Sequence, residues 1–247
     1  MKLNETTLSF WNECHISKNG MGLTGSEYNK TINFLKLNDY LRTGLKVLEI
    51  GIGMGYTIKG FSEMGCFPSA VDVSKIALEK IEKYCEKTYT PDNMIEMPEN
   101  YFDIIIVFNT VQHIYTDLLI FELKNCLRSL KPDGIMAIQF VSTPRVKDDS
   151  GLDKNTNTGE SFFRNKEYFA ELIKSFGGSC EFVYEAIRFY SKDWPKDRYN
   201  SGYGEIEYSS EFVSIPIPVD VGQMPFDMIT GNHVVHVRKN NYKNNDI

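Results

Sequence analysis

The fold is decided by one short stretch, Val47-Leu48-Glu49-Ile50-Gly51-Ile52-Gly53-Met54-Gly55. It begins as an apolar strand with an acidic residue near its end, and it continues as a turn with glycine at every second position. Glycine adopts positive φ and lets the backbone lie close against a ligand, and a helix that begins at Tyr56 offers unpaired N–H groups in its first turn. The stretch therefore predicts a strand, a turn and a helix that hold the polar middle of a nucleoside-bearing cofactor.

The spacing of the glycines distinguishes between cofactors. Turns that bind nicotinamide or flavin nucleotides follow the pattern G-x-G-x-x-G, whereas the pattern here is G-x-G-x-G. Glu49 precedes the first glycine, and its carboxylate would repel a pyrophosphate and attract an ammonium group. A nicotinamide-dependent oxidoreductase is therefore disfavoured, although it stays open as an alternative.

Further segments follow the turn in a fixed order. Phe67–Asp72 is a second apolar strand that ends on an acid, and Tyr101–Asn109 contains the fourth, continuously apolar strand. Val111–Ile114 and Leu127–Gly134 come next. In this order the segments resemble those of the class I S-adenosylmethionine-dependent methyltransferases, and the resemblance extends from Leu45 to Val141.

The resemblance and the alternation of strands with helices predict the same architecture. The expected fold is α/β, a doubly wound and mainly parallel seven-stranded sheet of the Rossmann-like methyltransferase type. Residues 1–43 are expected to form an N-terminal helical cap, 44–141 the S-adenosylmethionine-binding core, and 142–247 the C-terminal part of the same domain. Within that last part, an insertion at about 187–231 is expected to cover the acceptor.

The periodicity predicts individual elements as well. Expected helices lie at 7–13, 26–41, 55–64, 74–86, 116–130 and 162–176. Expected strands lie at 45–50, 67–72, 104–108, 135–141, 181–186 and 234–237, with one further, short strand within 87–98. Ser74 is expected to cap the start of its helix, and Gly65 to follow the end of the helix before it.

The resemblance implies which residues bind S-adenosyl-L-methionine. The glycine turn and Glu49 are expected to hold its amino-acid part, and Asp72 its ribose hydroxyls, since a carboxylate accepts two hydrogen bonds at once. The simpler alternatives are an ordinary β-to-α turn, and for Asp72 a helix cap or a surface acid. The full expected set is Tyr28, Glu49, Gly51, Gly53, Gly55, Asp72, Val73, Asn93, Met94 and Asn109. Asp92 is the alternative to Asn93 near the adenine. For either residue, the simpler interpretation is an exposed residue in a turn.

His113 is the candidate catalytic residue. Its imidazole titrates near neutral pH and follows the fourth strand, where a general base could face the transferred methyl. The family often carries histidine here without a catalytic role, so that alternative stays open. Trp11 is expected either to help Tyr28 close the pocket or to pack in the core. Metal ligands are not expected, because the chain contains no HExxH or EF-hand pattern.

Composition restricts the partners. The 247 residues carry a net charge of −6, which argues against nucleic acid, whose phosphates favour clustered Lys and Arg. Five widely spaced cysteines indicate reduced thiols, and no apolar run is long enough to span a membrane, so a cytoplasmic protein with no membrane partner is expected. The expected partner is a small-molecule acceptor, with a homodimer as one option for assembly.

The resemblance implies direct, in-line methyl transfer. The favoured reaction is O-methylation of a sugar, nucleotide-linked or free, or of another secondary metabolite. N-methylation of a small amine and a non-catalytic S-adenosylmethionine-binding scaffold are the alternatives; no Asn-Pro-Pro-Tyr motif follows the fourth strand, which disfavours methylation of exocyclic amines of bases. Four scattered arginines are expected either to hold a phosphate of the acceptor or to face solvent; they are Arg145, Arg164, Arg188 and Arg198.

Overall fold

The computed structural model describes residues 5–17, 28–142, 152–153, 161–162, 164–191 and 226–240. The strands are β1 (Lys46–Ile50), β2 (Phe67–Val71), β3 (Lys87–Tyr89), β4 (Phe102–Val107), β5 (Leu130–Ser142), β6 (Leu152–Asp153), β7 (Ser161–Phe162), β8 (Gly178–Ser191) and β9 (Phe226–Lys239). The α-helices are α1 (Glu5–Ser17), α2 (Tyr28–Phe34), α3 (Tyr56–Glu63), α4 (Lys75–Ile81), α5 (Thr116–Ser129) and α6 (Lys166–Ser175). Short 3₁₀ helices cover Asn38–Tyr40, Glu82–Tyr84, Pro91–Glu96 and Val111–His113.

Seven strands form one sheet in the order β3-β2-β1-β4-β5-β9-β8. The first five in this order pair in parallel, whereas β9 pairs antiparallel with both β5 and β8. The predicted α/β fold with a mainly parallel, seven-stranded sheet is confirmed, and the sheet is mixed because of its last two strands. The strand order reverses beside β1, and this is where open α/β sheets bind ligands, at the carboxyl ends of their strands.

Helices cover both faces of the sheet. α5 and α6 bury Leu119, Cys126 and Phe169 against one face. On the other face, α2 and α3 bury Ile32 and Phe61, and α4 extends this layer over the first strands. Because parallel strands are buried on both sides, β1 and β4 are almost continuously apolar, as their sequences predict.

Two of the predicted helices are longer than the helices in the structure. The helix expected over 26–41 ends at Phe34, and Lys36 follows it with a φ of 56°, a left-handed conformation that ends a helix. The helix expected over 74–86 ends at Ile81 and continues as a 3₁₀ turn. The third strand is short, as predicted.

The antiparallel end of the sheet extends further than the sequence indicates. β8 continues to Ser191 and β9 already begins at Phe226, so both enter the range 187–231 that was predicted as an insertion. Residues 192–225 of that range lie outside the described residues. Within the described ranges, the structure contains no helix with the length and apolar character that a membrane crossing needs.

Candidate functional site

The glycine turn lies at the carboxyl end of β1. Gly51, Gly53 and Gly55 have φ values of 72°, 51° and 75°, a conformation that side chains disfavour. At Gly51 an added Cβ would stand 2.3 Å from the Thr110 side chain, and at Gly55 it would stand 2.2 Å from Ile81. The predicted turn is therefore present, and glycine is required at these two positions by neighbouring side chains as well as by φ.

Glu49 is buried directly below this turn, with 4% of its surface exposed. Burial raises the pKa of its carboxyl to about 8; hydrogen bonds from the Thr57 side chain and the Ile58 backbone oppose this, and the nearby Asp72 adds to it. One carboxyl oxygen, Oε2, is buried without a hydrogen-bond partner. A buried acceptor without a partner is costly, so the atom fits a ligand that brings an N–H group.

Asp72 joins the turn to the second strand. One of its oxygens accepts a hydrogen bond from the Ile52 backbone at 3.0 Å, and the other accepts one from the Ser74 backbone at 2.8 Å. Burial raises its pKa to about 6, although these hydrogen bonds lower it. The alternative of a surface acid is wrong, since Asp72 is 7% exposed. Each carboxylate oxygen accepts two hydrogen bonds, so capacity for ribose hydroxyls remains, and that role stays a prediction.

The segment predicted to face the adenine forms the 3₁₀ helix Pro91–Glu96. Thr90 is its N-cap, and the Thr90 backbone N–H donates to the side-chain oxygen of Asn93 at 2.8 Å. Met94 is fully buried in the core, while Val73 is half-buried and Asp92 is exposed. The exposed position of Asp92 fits the plain reading of a turn residue, and the adenine contacts of Asn93, Met94 and Val73 stay predictions.

Hydrogen bonds connect the loop after β4 to both neighbouring strands, β5 and β1. Asn109 is exposed, has a φ of 52°, and donates its backbone N–H to the Gln139 side chain at 2.9 Å. The hydroxyl of Thr110 lies 2.8 Å from the Phe108 carbonyl and 3.2 Å from that of Ile50. These contacts hold the loop beside the glycine turn, as the position predicted for Asn109 requires.

His113 ends the 3₁₀ helix that follows this loop. Its ring lies edge to face against Trp11, with 5.2 Å between the centroids. Trp11 belongs to α1, which is also fixed to α4, since the Ser74 hydroxyl donates to the side-chain oxygen of Asn12 at 2.7 Å and Lys80 donates to the His15 carbonyl at 2.5 Å. α1 thus connects the His113 loop with the start of α4, and of the two roles expected for Trp11 this placement favours closing the site. The general-base role of His113 stays a prediction.

Arg164 has a structural role beside the site that the sequence does not indicate. It was expected to bind a phosphate or to face solvent, but its side chain is completely buried. Its guanidinium donates to the carbonyls of Val111 (3.2 Å) and Ile114, and to the Thr116 hydroxyl at 3.0 Å. Arg164 therefore holds the loop that carries His113. No local pattern marks this role, because the partners lie about fifty positions away in sequence. Side chains of the other three arginines lie outside the described residues.

Tyr28 lies away from the glycine turn. Its ring packs against Phe61 and covers Gly60, and its hydroxyl donates to the Met64 sulfur at 3.2 Å. These partners are in and after the second half of α3, whereas the turn precedes the first residue of that helix. The predicted cofactor contact of Tyr28 stays a prediction.

The fold and this edge of the sheet define an α/β domain built to hold a nucleoside cofactor. A family model described as a methyltransferase domain matches residues 48–138. The ubiquinone biosynthesis O-methyltransferase of Bradyrhizobium diazoefficiens is 32% identical over 105 residues, which cover 40% of this chain and 41% of that protein. Its counterpart in Nitrobacter winogradskyi is 32% identical over 101 residues, 38% of each chain.

Solved structures share the fold at low identity. The 1,6-didemethyltoxoflavin-N1-methyltransferase of Burkholderia thailandensis, solved with S-adenosylhomocysteine, is 16% identical with a TM-score of 0.58 and covers 97% of this chain and 92% of its own. The YcgJ protein of Bacillus subtilis is 15% identical with a TM-score of 0.55 and covers 85% of this chain and 99% of its own.

Residues 48–138 thus match a methyltransferase domain, in agreement with the resemblance to class I S-adenosylmethionine-dependent methyltransferases. The chain spans well under half the length of the curated relatives it matches. Their activity and substrates therefore belong to those proteins, and for this chain they are matters of proposal. Among the described residues, no group of three or more acidic, histidine or cysteine side chains is arranged to hold a metal ion.

Proposed function

We propose that the protein transfers a methyl group from S-adenosylmethionine to a hydroxyl oxygen of a small molecule. The observation that carries this proposal is the buried Glu49 carboxyl, with one oxygen lacking a partner, below a three-glycine turn and next to Asp72. These two carboxyl groups fit the cofactor, because one can bind its ammonium group and the other its ribose hydroxyls.

When bound, the cofactor supplies the reactive methyl group, and the chain supplies binding and orientation. Glu49 would bind the ammonium, Asp72 the ribose, and the loop held by Arg164 would shape the space beside the methyl. Positioning of two reacting groups can lower a barrier by about 7–11 kcal/mol. The half-buried hydroxyl of Thr110 and the buried guanidinium of Arg164, which both hold this loop, are suited to such fixed positioning.

Oxygen is favoured as the accepting atom because the curated relatives that match about 40% of this chain are named O-methyltransferases. A sugar or another hydroxylated secondary metabolite is the acceptor class we propose. The partner is a small molecule, since the net charge of −6 does not favour a polyanion.

Calorimetry with S-adenosylhomocysteine tests the first part of the proposal. We expect binding in the micromolar range, and no binding at millimolar concentration would eliminate the function. Glu63→Gln is the matched control for Glu49→Gln. It changes an exposed acid on α3 and should leave the affinity unchanged.

Methyl-labelled S-adenosylmethionine and a panel of sugars, phenols and small amines test the second part. Label on an oxygen supports the proposal, and label on a nitrogen would replace it with N-methylation. Cofactor binding without transfer to any compound of the panel would favour the non-catalytic scaffold.

A further inference from the structure

Three polar side chains meet at the antiparallel end of the sheet. The Ser142 hydroxyl lies 2.6 Å from Nε2 of His233, and Nδ1 of the same ring lies 3.2 Å from Oε1 of Glu185. The three residues come from β5, β9 and β8. We call this Ser–His–Glu arrangement the relay.

Packing holds the His233 ring, and an ion pair holds the more exposed Glu185. His233 is 6% exposed and stacks on Phe140, with 5.1 Å between the ring centroids and 29° between the planes. Glu185 is fixed from its other side by Lys166 of α6, whose amine donates to the same oxygen. The relay therefore has a defined geometry before any ligand binds.

The charges around the ring determine its protonation. Burial tends to raise the pKa of Glu185, but its contacts with Lys166 and His233 lower the pKa overall, so this group is a carboxylate. A carboxylate only accepts hydrogen bonds, so Nδ1 of His233 must carry a proton and donate it. Burial lowers the pKa of His233, which keeps the ring neutral and leaves Nε2 as the acceptor for the Ser142 hydroxyl.

The relay stands at the same edge of the sheet as the cofactor residues. Ser142 is the last residue of β5, which pairs in parallel with β4, and Asn109 follows β4. Ser142 also forms a β-bridge with Arg164, the residue that holds the carbonyls on both sides of His113. Ser142 is thus connected through Arg164 to the loop that carries His113, next to the proposed methyl position.

We propose that Ser142 is the catalytic residue that takes the proton from the acceptor hydroxyl, and that His233 and Glu185 position and support it. The acceptor O–H bond breaks and its proton moves to Oγ of Ser142, while the proton of Ser142 moves to Nε2 of His233. The resulting imidazolium faces the Glu185 carboxylate, and its extra proton is later released to water. This inference rests on the proposed function and gives the proton a route that does not use His113.

The tautomer of His233 tests the relay without any turnover. In ¹⁵N-histidine-labelled protein, with the resonance identified from His233→Gln, we expect Nδ1 to be protonated and Nε2 to be unprotonated at neutral pH. A proton on Nε2 would overturn the proposal, because Ser142 could then not pass its proton to the ring. The tautomer is independent of cofactor binding.

Variants test the catalytic consequence. General acid–base groups contribute about 100- to 10,000-fold, so Ser142→Ala should lower kcat by about 100-fold or more while S-adenosylhomocysteine affinity stays the same. His236→Asn is the matched control, since His236 lies buried on the same strand but bonds the Leu35 carbonyl on the other face. It should retain kcat.

The pH profile separates a relay from a merely structural network. Activity should fall on the acid side as His233 becomes protonated. Glu185 and Glu167 raise the pKa of His233, and Lys166 lowers it. Glu185→Gln should therefore shift the acid limb to lower pH as well as reduce kcat. The acid limb of the pH profile could instead be unchanged in Glu185→Gln and absent in a His113 variant. That result would show that His113 takes the proton, and it would overturn the proposal.

Failure of the relay and failure of the proposed function give different results. If the wild-type protein does not bind S-adenosylhomocysteine, the proposed function fails and the relay fails with it. If the wild-type protein binds and transfers methyl, and Ser142→Ala does so equally well, the relay alone fails.

Discussion

Two regions meet at the edge of the sheet where the parallel strands end. The cofactor half contains the turn after β1 and Asp72, and the other half contains Arg164 and the relay; different kinds of contact hold them together. On the cofactor side, the Asp72 carboxylate accepts hydrogen bonds from the backbone N–H groups of Ile52 and Ser74, which lie 20 and 2 positions away in sequence. On the other side, Arg164 and His233 use their side chains to reach groups about fifty and ninety positions away. The cofactor half thus follows from local chain geometry, whereas the half next to it exists only in the folded protein. This difference predicts how each half responds to mutation.

The largest effect is expected at Arg164. Arg164→Met would leave the buried carbonyl of Ile114 without its donor and that of Val111 with only the Ile114 N–H at 3.3 Å, and a buried acceptor that loses its partner costs about 1–3 kcal/mol. We expect the free energy of unfolding to fall by about 3–5 kcal/mol in urea titrations. Arg42→Met, which changes an exposed arginine, should cost less than about 0.5 kcal/mol. Equal effects of the two variants would refute the role given to Arg164.

Glu49 tests the cofactor half. Glu49→Gln keeps the shape of the side chain but cannot ionise when the ammonium group binds, so a charge-assisted hydrogen bond worth about 1.5–3 kcal/mol is lost. S-adenosylhomocysteine affinity, measured by calorimetry, should fall by about 10- to 100-fold. The contrast with Ser142→Ala, which should bind as the wild type does, separates the two halves. An unchanged affinity in Glu49→Gln would contradict the ammonium contact.

Two glycines separate the backbone cost from the packing cost. Gly44 and Gly51 have φ values of 78° and 72°, but an added Cβ meets no atom within 4 Å at Gly44 and the Thr110 side chain at Gly51. Gly44→Ala should therefore cost about 1–2 kcal/mol for the left-handed conformation alone. Gly51→Ala should cost about 1–3 kcal/mol more, because a close-packed side chain must move. Thr110→Ala should recover part of that difference, and urea titrations of the single and double variants measure it.

The smallest expected effect is the pH dependence of stability. Burial raises the pKa of Glu122 to about 8, with Asp72 adding to the shift, and burial does the same for Glu49. A carboxyl whose pKa is higher in the folded state stabilises the protein most at low pH. Its contribution is lost as pH rises from about 4.5 to about 8. Thermal melts across this range should show falling stability from these groups, and Glu122→Gln should make the decline shallower. An unchanged slope would mean that Glu122 is ionised at no cost.

The sequence predicts the local structure around the glycine turn and the start of α4, because the signals for it come from neighbouring residues. The cap of α4 by Ser74, confirmed by a hydrogen bond from the Ala77 backbone, and the left-handed Gly65 after α3 follow from neighbouring residues. The sequence did not predict Arg164 or the relay, since neither has a local pattern. Arg164 resembles any surface arginine in sequence, and Ser142 and His233 become neighbours only when β9 pairs with β5. The contacts of Tyr28 with α3 are equally non-local.

A crystal structure with S-adenosylhomocysteine tests the central claim most directly. We expect its ammonium group within hydrogen-bonding distance of the Glu49 carboxyl and its ribose hydroxyls on Asp72, above the turn of Gly51, Gly53 and Gly55. A nucleoside bound elsewhere, with both carboxyls making no contact to it, would contradict the account.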